Sequence, residues 1–487
     1  MPDPSSSESQ SRKKDKKLFY PKNMQSKSSL AVDFLFKIFL LFAILVIQVL
    51  ILHFIFRVPS ISISVQQITE EKITPLPPPE VKECDYGYVY VYELPAMFNK
   101  ELLENCHELN RWQSRCRSIS NVGLGPRAFG LSRVVPENLA PAWYWTDMFA
   151  AEVIYHDRIL KHKCRTREPD SATAFYIPFY AGLAVAKYFF KNYSAKERDW
   201  QCEKLLGWVK NQAHFKKYNG SDHFIMLGRP TWDFRRSTDE DWGSGFVYMP
   251  LMKRILRLSL ERDPWDKLEI GVPYPTGFHP RSRSELDQWL NFVRTRNRTS
   301  LFTFVGAKRN LKGDFRTVLM DHCYNESGSC RVVDCSGTRC SDGTSEILEG
   351  FLDSDFCLQP RGDTYTRKSM FDCMLAGSIP VFFWKRSIYD QYEVFLGNEP
   401  EKFTIFIDWR DVRNGTSIRE VLEGYTRDEV KKMREMVINL VPNFLYSSMR
   451  KDQEIGYAKD AFDIVIDGVL KRFKVQKGVE HAQSQIH

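Results

Sequence analysis

The chain has 487 residues, of which 43% are hydrophobic and 14% aromatic, so it exceeds one ordinary domain and carries enough apolar side chains for two cores. Its net charge is +8, and seven basic against three acidic residues within 1–30 supply half of that. The remainder is too weakly basic for a nucleic-acid partner.

Residues 1–33 are polar, Ser-rich and basic, with no apolar period, and read as a disordered cytoplasmic tail. Within 34–56, the 19 residues from Ile38 to Phe56 carry no charge and are softened only by Gln48 and His53. That approaches the roughly 20 apolar residues a membrane helix needs. No small-x-small cleavage pattern follows, and the basic residues lie on the N-terminal side. The expectation is a single-pass type II signal anchor with the bulk of the chain lumenal. Residues 57–83, with the run Thr74-Pro-Leu-Pro-Pro-Pro79, read as an extended stem.

A first folded domain is expected over 84–280. Strands are expected at Tyr88–Tyr92, Ala174–Tyr180, His223–Gly228 and Leu268–Val272, with a helix over Trp143–Leu160. Strands spaced by helical lengths predict a mostly parallel, helix-covered sheet. Pro273–Pro280 reads as the interdomain linker. A second domain over 281–473 opens with the strand Ser300–Gly306. It continues with a strand at Lys402–Asp408 and amphipathic helices at Arg427–Leu440 and Asp460–Phe473. Residues 474–487 read as a frayed tail.

Eleven cysteines follow the apolar stretch, and Cys323, Cys330, Cys335 and Cys340 cluster. A zinc site is one reading, but no C-x-x-C pair is present; disulfides fit a lumenal placement better. The odd count leaves at least one thiol unpaired or paired between chains, and Cys106–Cys116 is a plausible local bridge. Sequons at Asn192, Asn219, Asn297, Asn325 and Asn414 all follow the apolar stretch.

Residues 345–384 carry the clearest chemistry. A short helix, Glu346–Leu352, leads into a strand at Phe356–Gln359. Pro360, Arg361 and Gly362 then turn into a helix over Thr364–Ala376, and a strand at Ile379–Trp384 closes the unit. Asp363 suits the helix N-cap and Gly377 the left-handed residue past its end. Free N–H groups at the helix tip, with Arg361 and Arg367, form a seat for a diphosphate. Asp372, two turns in, can accept from ribose hydroxyls. The competing reading is an ordinary βαβ step whose arginines pair with surface acids.

The run Cys357-Leu-Gln-Pro-Arg-Gly-Asp-Thr-Tyr-Thr-Arg-Lys-Ser-Met-Phe-Asp-Cys-Met-Leu-Ala-Gly-Ser-Ile-Pro-Val-Phe-Phe383 resembles the nucleotide-sugar segment of the exostosin-like glycosyltransferases of family 47. It looks most like the plant branch that includes the xyloglucan galactosyltransferases, and the likeness extends over Tyr88–Phe473. The wider family more often has Glu where this chain has Asp372. The resemblance implies a GT-B fold: α/β, with two facing Rossmann-like domains, donor bound in the C-terminal one and acceptor in the cleft. It implies inverting transfer from a UDP-sugar in a Golgi membrane protein; Arg361, Arg367 and the helix end would supply the positive charge for the diphosphate, so no metal or other cofactor is expected. The partners are then a UDP-sugar and a xyloglucan-type polysaccharide, with Golgi transferase complexes or a homodimer left open.

The departing diphosphate carries most of the charge in such a transfer, so Arg361, Arg367, Gly362, Asp363 and Asp372 are the donor candidates. Asp353-Ser-Asp355 has the spacing of a metal-bridging motif but precedes a strand, where capping or solvent exposure fits better. On the acceptor side, the loop after His223–Gly228 offers Asp233 as general base, Arg229 for phosphate and Trp232 for sugar stacking. Asp233 could instead pair with Arg235 or Arg236; Glu93, Glu152 and His156 are rival bases. Galactose is the favoured sugar. Galacturonic acid or arabinose, the former aided by Lys385 or Arg386, and a silent carbohydrate-binding scaffold are the alternatives.

Overall fold

The computed structural model describes residues 40–41, 44–48, 84–110, 114–189, 193–309, 313–337, 340, 344–448 and 459–484. The stem, most of the 34–56 segment and Asn192 lie outside the described residues, and among those described no helix is long and apolar enough to cross a membrane.

The first sheet is built from β1 (Tyr88–Val91), β2 (Arg165–Thr166), β3 (Ala172–Ile177), β4 (His223–Met226), β5 (Leu256–Ser259) and β6 (Glu269–Gly271). Their order is β2-β1-β3-β4-β5-β6, and every pairing is parallel. All four residues of β4 are buried, as a central strand covered on both faces requires. Helices α1 (Ala151–Lys161), α2 (Ala181–Ala186) and α3 (Ala195–Lys210) connect these strands. At the start of α3, Ser194 accepts from Glu197 N while Glu197 returns a bond to Ser194 N, a reciprocal cap.

The second sheet follows α4 (Arg283–Thr295). The face of α4 formed by Leu286, Trp289 and Val293 is buried, and Trp289 Nε1 donates to Leu375 O at 3.0 Å. Strands β7 (Ser300–Gly306), β8 (Cys330–Asp334), β9 (Ser354–Gln359), β10 (Ile379–Phe382) and β11 (Ile405–Phe406) lie in the order β11-β10-β9-β7-β8, again all parallel. Helices α5 (Phe315–Asn325), α6 (Ser345–Leu352), α7 (Lys368–Leu375) and α8 (Arg427–Phe444) flank it, and α9 (Ala461–Ser484) ends the described chain.

Several sequence expectations are corrected. The helix expected from Trp143 starts only at Ala151, because Trp143 and Tyr144 form bridges with Phe278 and Arg127. β5 was not foreseen; its Arg257 looks like a loop residue, yet it is buried, with Asp266 Oδ2 at 2.7 Å and Ile255 O at 3.1 Å as partners. The Pro273–Pro280 linker is not a free tether: Tyr274 and Phe278 are buried, and Phe278 packs on Trp289. The tail expected to fray from 474 is helical to Ser484. It lies against the first sheet, where Lys477 Nζ meets Asp222 at 2.8 Å and Lys474 donates to Asp85 O.

The cysteine cluster resolves into disulfides Cys323–Cys330 and Cys335–Cys340, alongside Cys84–Cys164, Cys106–Cys116 and Cys357–Cys373. Cys202 alone is free, and buried. The zinc reading is therefore excluded for these cysteines. Asn219, Asn297, Asn325 and Asn414 are exposed.

The carboxyl ends of the two sheets meet. Glu261, just past β5, accepts from Thr366 N and Thr366 Oγ1, both at 2.8 Å, and Thr366 immediately precedes Arg367 at the tip of α7. Tyr392 Oη donates to Leu260 O at 2.7 Å, and Arg262 pairs with Glu393 at 2.8 Å. Ligands of open parallel sheets bind at such ends.

Candidate active site

The donor half sits where β9 runs into the turn at Pro360. Helix α7 begins at Lys368, four residues later than its sequence indicates, and Arg367 holds the N-cap position without a side-chain cap. Asp363 is therefore not the cap: it is exposed and pairs with Arg309, which follows β7. The cause is Thr366, whose N–H and hydroxyl are drawn to Glu261 across the cleft, so 361–367 stays a loop over the helix tip.

Guanidinium groups gather around Gly362. A Cβ placed on Gly362 would lie 3.4 Å from Arg367 Cγ and 3.5 Å from Arg316 Nη2. Arg367 Nη2 donates to Val305 O at 3.3 Å, while Nη1 is buried with no partner among the described residues. Arg316 Nε is likewise buried and unpartnered. Burial, then Arg316 and Arg309, lower the Arg367 pKa to about 9; burial and Arg309 lower that of Arg316. Arg361 is exposed, its guanidinium 5.6 Å over the Trp384 ring. Positive charge is thus held together with two carboxylates, Asp363 and Asp314, against it. An arrangement of this kind is repulsive until an anion enters.

Asp372 lies one turn into α7. Lys368 Nζ reaches both of its oxygens at 2.7 Å, and burial outweighs Lys368 in pushing its carboxyl up. Arg309, Arg316 and Lys368 escape a reading confined to the turn itself. Two signals were present: the Lys308-Arg309 pair two residues past the Gly that ends β7, and the i,i+4 spacing of Lys368 and Asp372.

The acceptor half is built differently. Past β4, Arg229 donates to Asp233 Oδ2 at 2.8 Å and to Gly182 O at 3.2 Å, with Phe149 and Phe189 against its guanidinium at 4.0 and 4.8 Å. Asp233 Oδ1 accepts from Trp242 Nε1 at 2.9 Å. Asp233 is therefore paired with Arg229 rather than with Arg235 or Arg236. Trp232 stacks parallel to Trp242 with its outer face half exposed.

Below them, Glu152 is fully buried and accepts from Gly182 N at 2.9 Å and Leu183 N at 2.8 Å. Burial pushes its carboxyl up to about 8, against those two N–H groups and Arg229. The adjacent Gly228, at φ +58°, has no room for a Cβ, which would come within 2.5 Å of Glu152 Oε2. His156 Nδ1 meets Tyr180 Oη at 2.9 Å, and burial holds the ring neutral with a pKa lowered to about 4. Glu93 is exposed just past β1.

Tyr274 joins the halves. Its hydroxyl meets Thr366 Oγ1 at 3.2 Å; burial, then Glu261 and Asp233, push its ionisation up, while Thr366 and Arg229 oppose. Arg367 feels Tyr274 from the other side. Tyr274 is thus within electrostatic reach of both the Arg229–Asp233 pair and Arg367, where the carboxyl ends of the two sheets meet. Lys385 is exposed beside Phe406, and Asp353 and Asp355 pair with Arg331 and Arg434 rather than facing a ligand. Among the described residues, no three His, Cys, Asp or Glu side chains gather as a metal site.

A parallel α/β pair with a cationic turn at the meeting of the strand ends is a frame suited to an anionic ligand, and the chain belongs to the exostosin family of glycosyltransferases, whose GT47 domain matches residues 83–422. It is 56% identical over 398 residues to the xyloglucan galactosyltransferase XLT2 of Arabidopsis thaliana, covering 81% of this chain and 77% of that protein. The xyloglucan galactosyltransferase MUR3 of the same plant is 39% identical over 395 residues, covering 80% and 62%. The xyloglucan-specific galacturonosyltransferase 1, also of Arabidopsis thaliana, is 35% identical over 392 residues, covering 80% and 57%.

Proposed function

We propose that the chain transfers galactose from UDP-galactose to the xylose side chains of xyloglucan, with inversion at the anomeric carbon, on a GT-B plan. In one displacement the acceptor oxygen forms the bond to C1 as the bond from C1 to the diphosphate breaks. The electron pair leaves with UDP, and the hydroxyl proton goes to a carboxylate. Arg309, Arg316, Arg361 and Arg367 receive the diphosphate, with Gly362 keeping their approach open and Asp363 withdrawing from Arg309 as the donor enters. Asp372, steadied by Lys368, accepts from the ribose hydroxyls. These cations neutralise the leaving group, so no metal is required.

Asp233 is the acceptor-side base in this reading, oriented by Arg229 and Trp242, and Trp232 stacks on sugar. Glu93 is the second candidate, since it is exposed at a strand's carboxyl end with no hydrogen-bond partner among the described residues. The chain is held in the Golgi membrane by residues 34–56, with the folded part lumenal. The observation that carries the proposal is the buried Arg367 Nη1, charged and unpartnered at the tip of α7. The test is the full chain incubated with a panel of UDP-sugars and xyloglucan oligosaccharides, with EDTA present, and products weighed by mass. One added hexose from UDP-galactose is expected. A product formed only from UDP-galacturonic acid, or none from any donor, contradicts the assignment.

A further inference from the structure

Trp265 is 77% exposed in the loop after β5, and Trp232 and Tyr248 are each 48% exposed nearby. Large rings left open to water in one contiguous patch, unlike a single exposed ring, mark a surface that something covers. Two arginines tie these rings into one strip. Arg235 Nε donates to Thr231 Oγ1, beside Trp232, at 3.0 Å. It also stands 5.9 Å over the Tyr248 ring and pairs with Asp266, beside Trp265, at 2.8 Å. Arg386 lies between Trp265, at 4.8 Å, and Tyr365, at 4.7 Å, and its Nε has no partner among the described residues. Tyr365 is next to Thr366 of the donor loop. The strip therefore runs from the Asp233 side of the cleft, across its rim, to the donor turn.

Its chemistry selects the occupant. Tyr248, Trp265 and Tyr365 lie against guanidinium groups and Trp232 stacks on Trp242, so little ordering entropy is lost when their free faces are covered. Charge along the strip is nearly balanced: Arg235 and Arg257 face Asp263, Asp266 and Glu269. A flat apolar face with a neutral polar rim suits the C–H faces of consecutive pyranose rings better than an anionic chain or an apolar helix. We propose that this strip, centred on Trp265, is a binding site for the uncharged β-glucan backbone of the acceptor, reaching beyond the sugar that receives the transfer. The proposal rests on the polysaccharide reading above.

The test compares initial rates of the wild-type full chain and its Trp265→Ala and Tyr365→Ala variants on polymeric xyloglucan and on a single-repeat xyloglucan oligosaccharide. Retardation of each protein in a native gel containing soluble xyloglucan, without donor, is measured in parallel. Loss of one stacked ring is expected to raise KM for the polymer about tenfold and abolish most gel retardation, while the oligosaccharide KM moves less than about twofold and KM for UDP-galactose stays unchanged. Phe129→Ala, which removes an exposed ring no contact ties to the strip, is expected to behave as wild type. Unchanged polymer KM and retardation in both variants would overturn the proposal. Equal rises for polymer and oligosaccharide would also overturn it, because the ring would then act only at the transferred position. A wild type that transfers nothing to xyloglucan but is retarded by it, with Trp265→Ala running free, would sink the transfer reading and leave the strip standing.

Discussion

The two halves of the cleft handle charge in opposite ways. On the acceptor side the charges flanking the cleft are matched, Arg229 with Asp233 and Arg235 with Asp266 and Glu269, while the buried Glu152 accepts from two backbone N–H groups. On the donor side Arg316 and Arg367 keep buried N–H groups with no partner among the described residues, and burial lowers both pKa values, with Arg309 adding to it for Arg316 and Arg316 and Arg309 adding to it for Arg367. Matched charges make a rigid wall for a neutral polyol. Unmatched ones store an electrostatic demand that only an arriving anion satisfies, so the electrostatic cost of the donor half is recovered on binding.

That contrast is broken most sharply at Arg367. Arg367→Ala is expected to lower kcat/KM for UDP-galactose by about 10²–10³-fold, since it removes a charged donor from the departing diphosphate. The thermal midpoint should hold or rise, because an unpaired buried cation has been deleted. Steady-state kinetics and a melting curve on one preparation check both. Arg229→Met should do the reverse to the fold. Stranding Asp233 without its cation should cost about 3 kcal/mol in denaturant unfolding, and adding Asp233→Asn should restore much of it.

The disulfide Cys357–Cys373 sharpens the comparison from inside the donor half, because it ties β9 to α7 and so fixes the turn between them. Replacing both by Ser should lose about 2–3 kcal/mol for a loop of this length and raise KM for the donor.

The smallest effect concerns Glu152. Its folded pKa, about 8, lies above its usual 4.5, so its contribution is complete below the usual value and is lost as pH rises through about 8. Stability should fall between roughly pH 4.5 and 8 and level off above that. Glu152→Gln should flatten that slope while costing about 1 kcal/mol, since one backbone N–H loses its acceptor. Denaturant midpoints across pH read both.

Much of the fold is legible in the chain. Ser300–Gly306 reads as a strand to the residue, since an apolar run ending in Gly leaves little choice. The parallel plan follows from helical spacing between such runs. What escaped did so for tertiary reasons. β5 hides because Arg257 is charged, and only the folded chain supplies Asp266 to cover it. The start of α7 was misplaced because Glu261, a hundred residues earlier, takes the N–H of Thr366. Within the candidate site, the turn at Pro360–Gly362 and Arg367 were readable from local chemistry. Arg309 and Arg316 come from the segment after β7 and reach Asp363 and Gly362 respectively only because β7 and β9 are neighbours in the sheet. No local pattern encodes that adjacency.

The most direct measurement is the affinity of the protein for UDP and for uridine, by calorimetry, in the wild type and in Arg367→Ala. If the unpaired arginines grip the diphosphate, wild type prefers UDP by at least about 100-fold, and Arg367→Ala loses about tenfold or more of that preference while binding uridine as before. A variant that keeps the full preference for UDP would show that the diphosphate is held elsewhere.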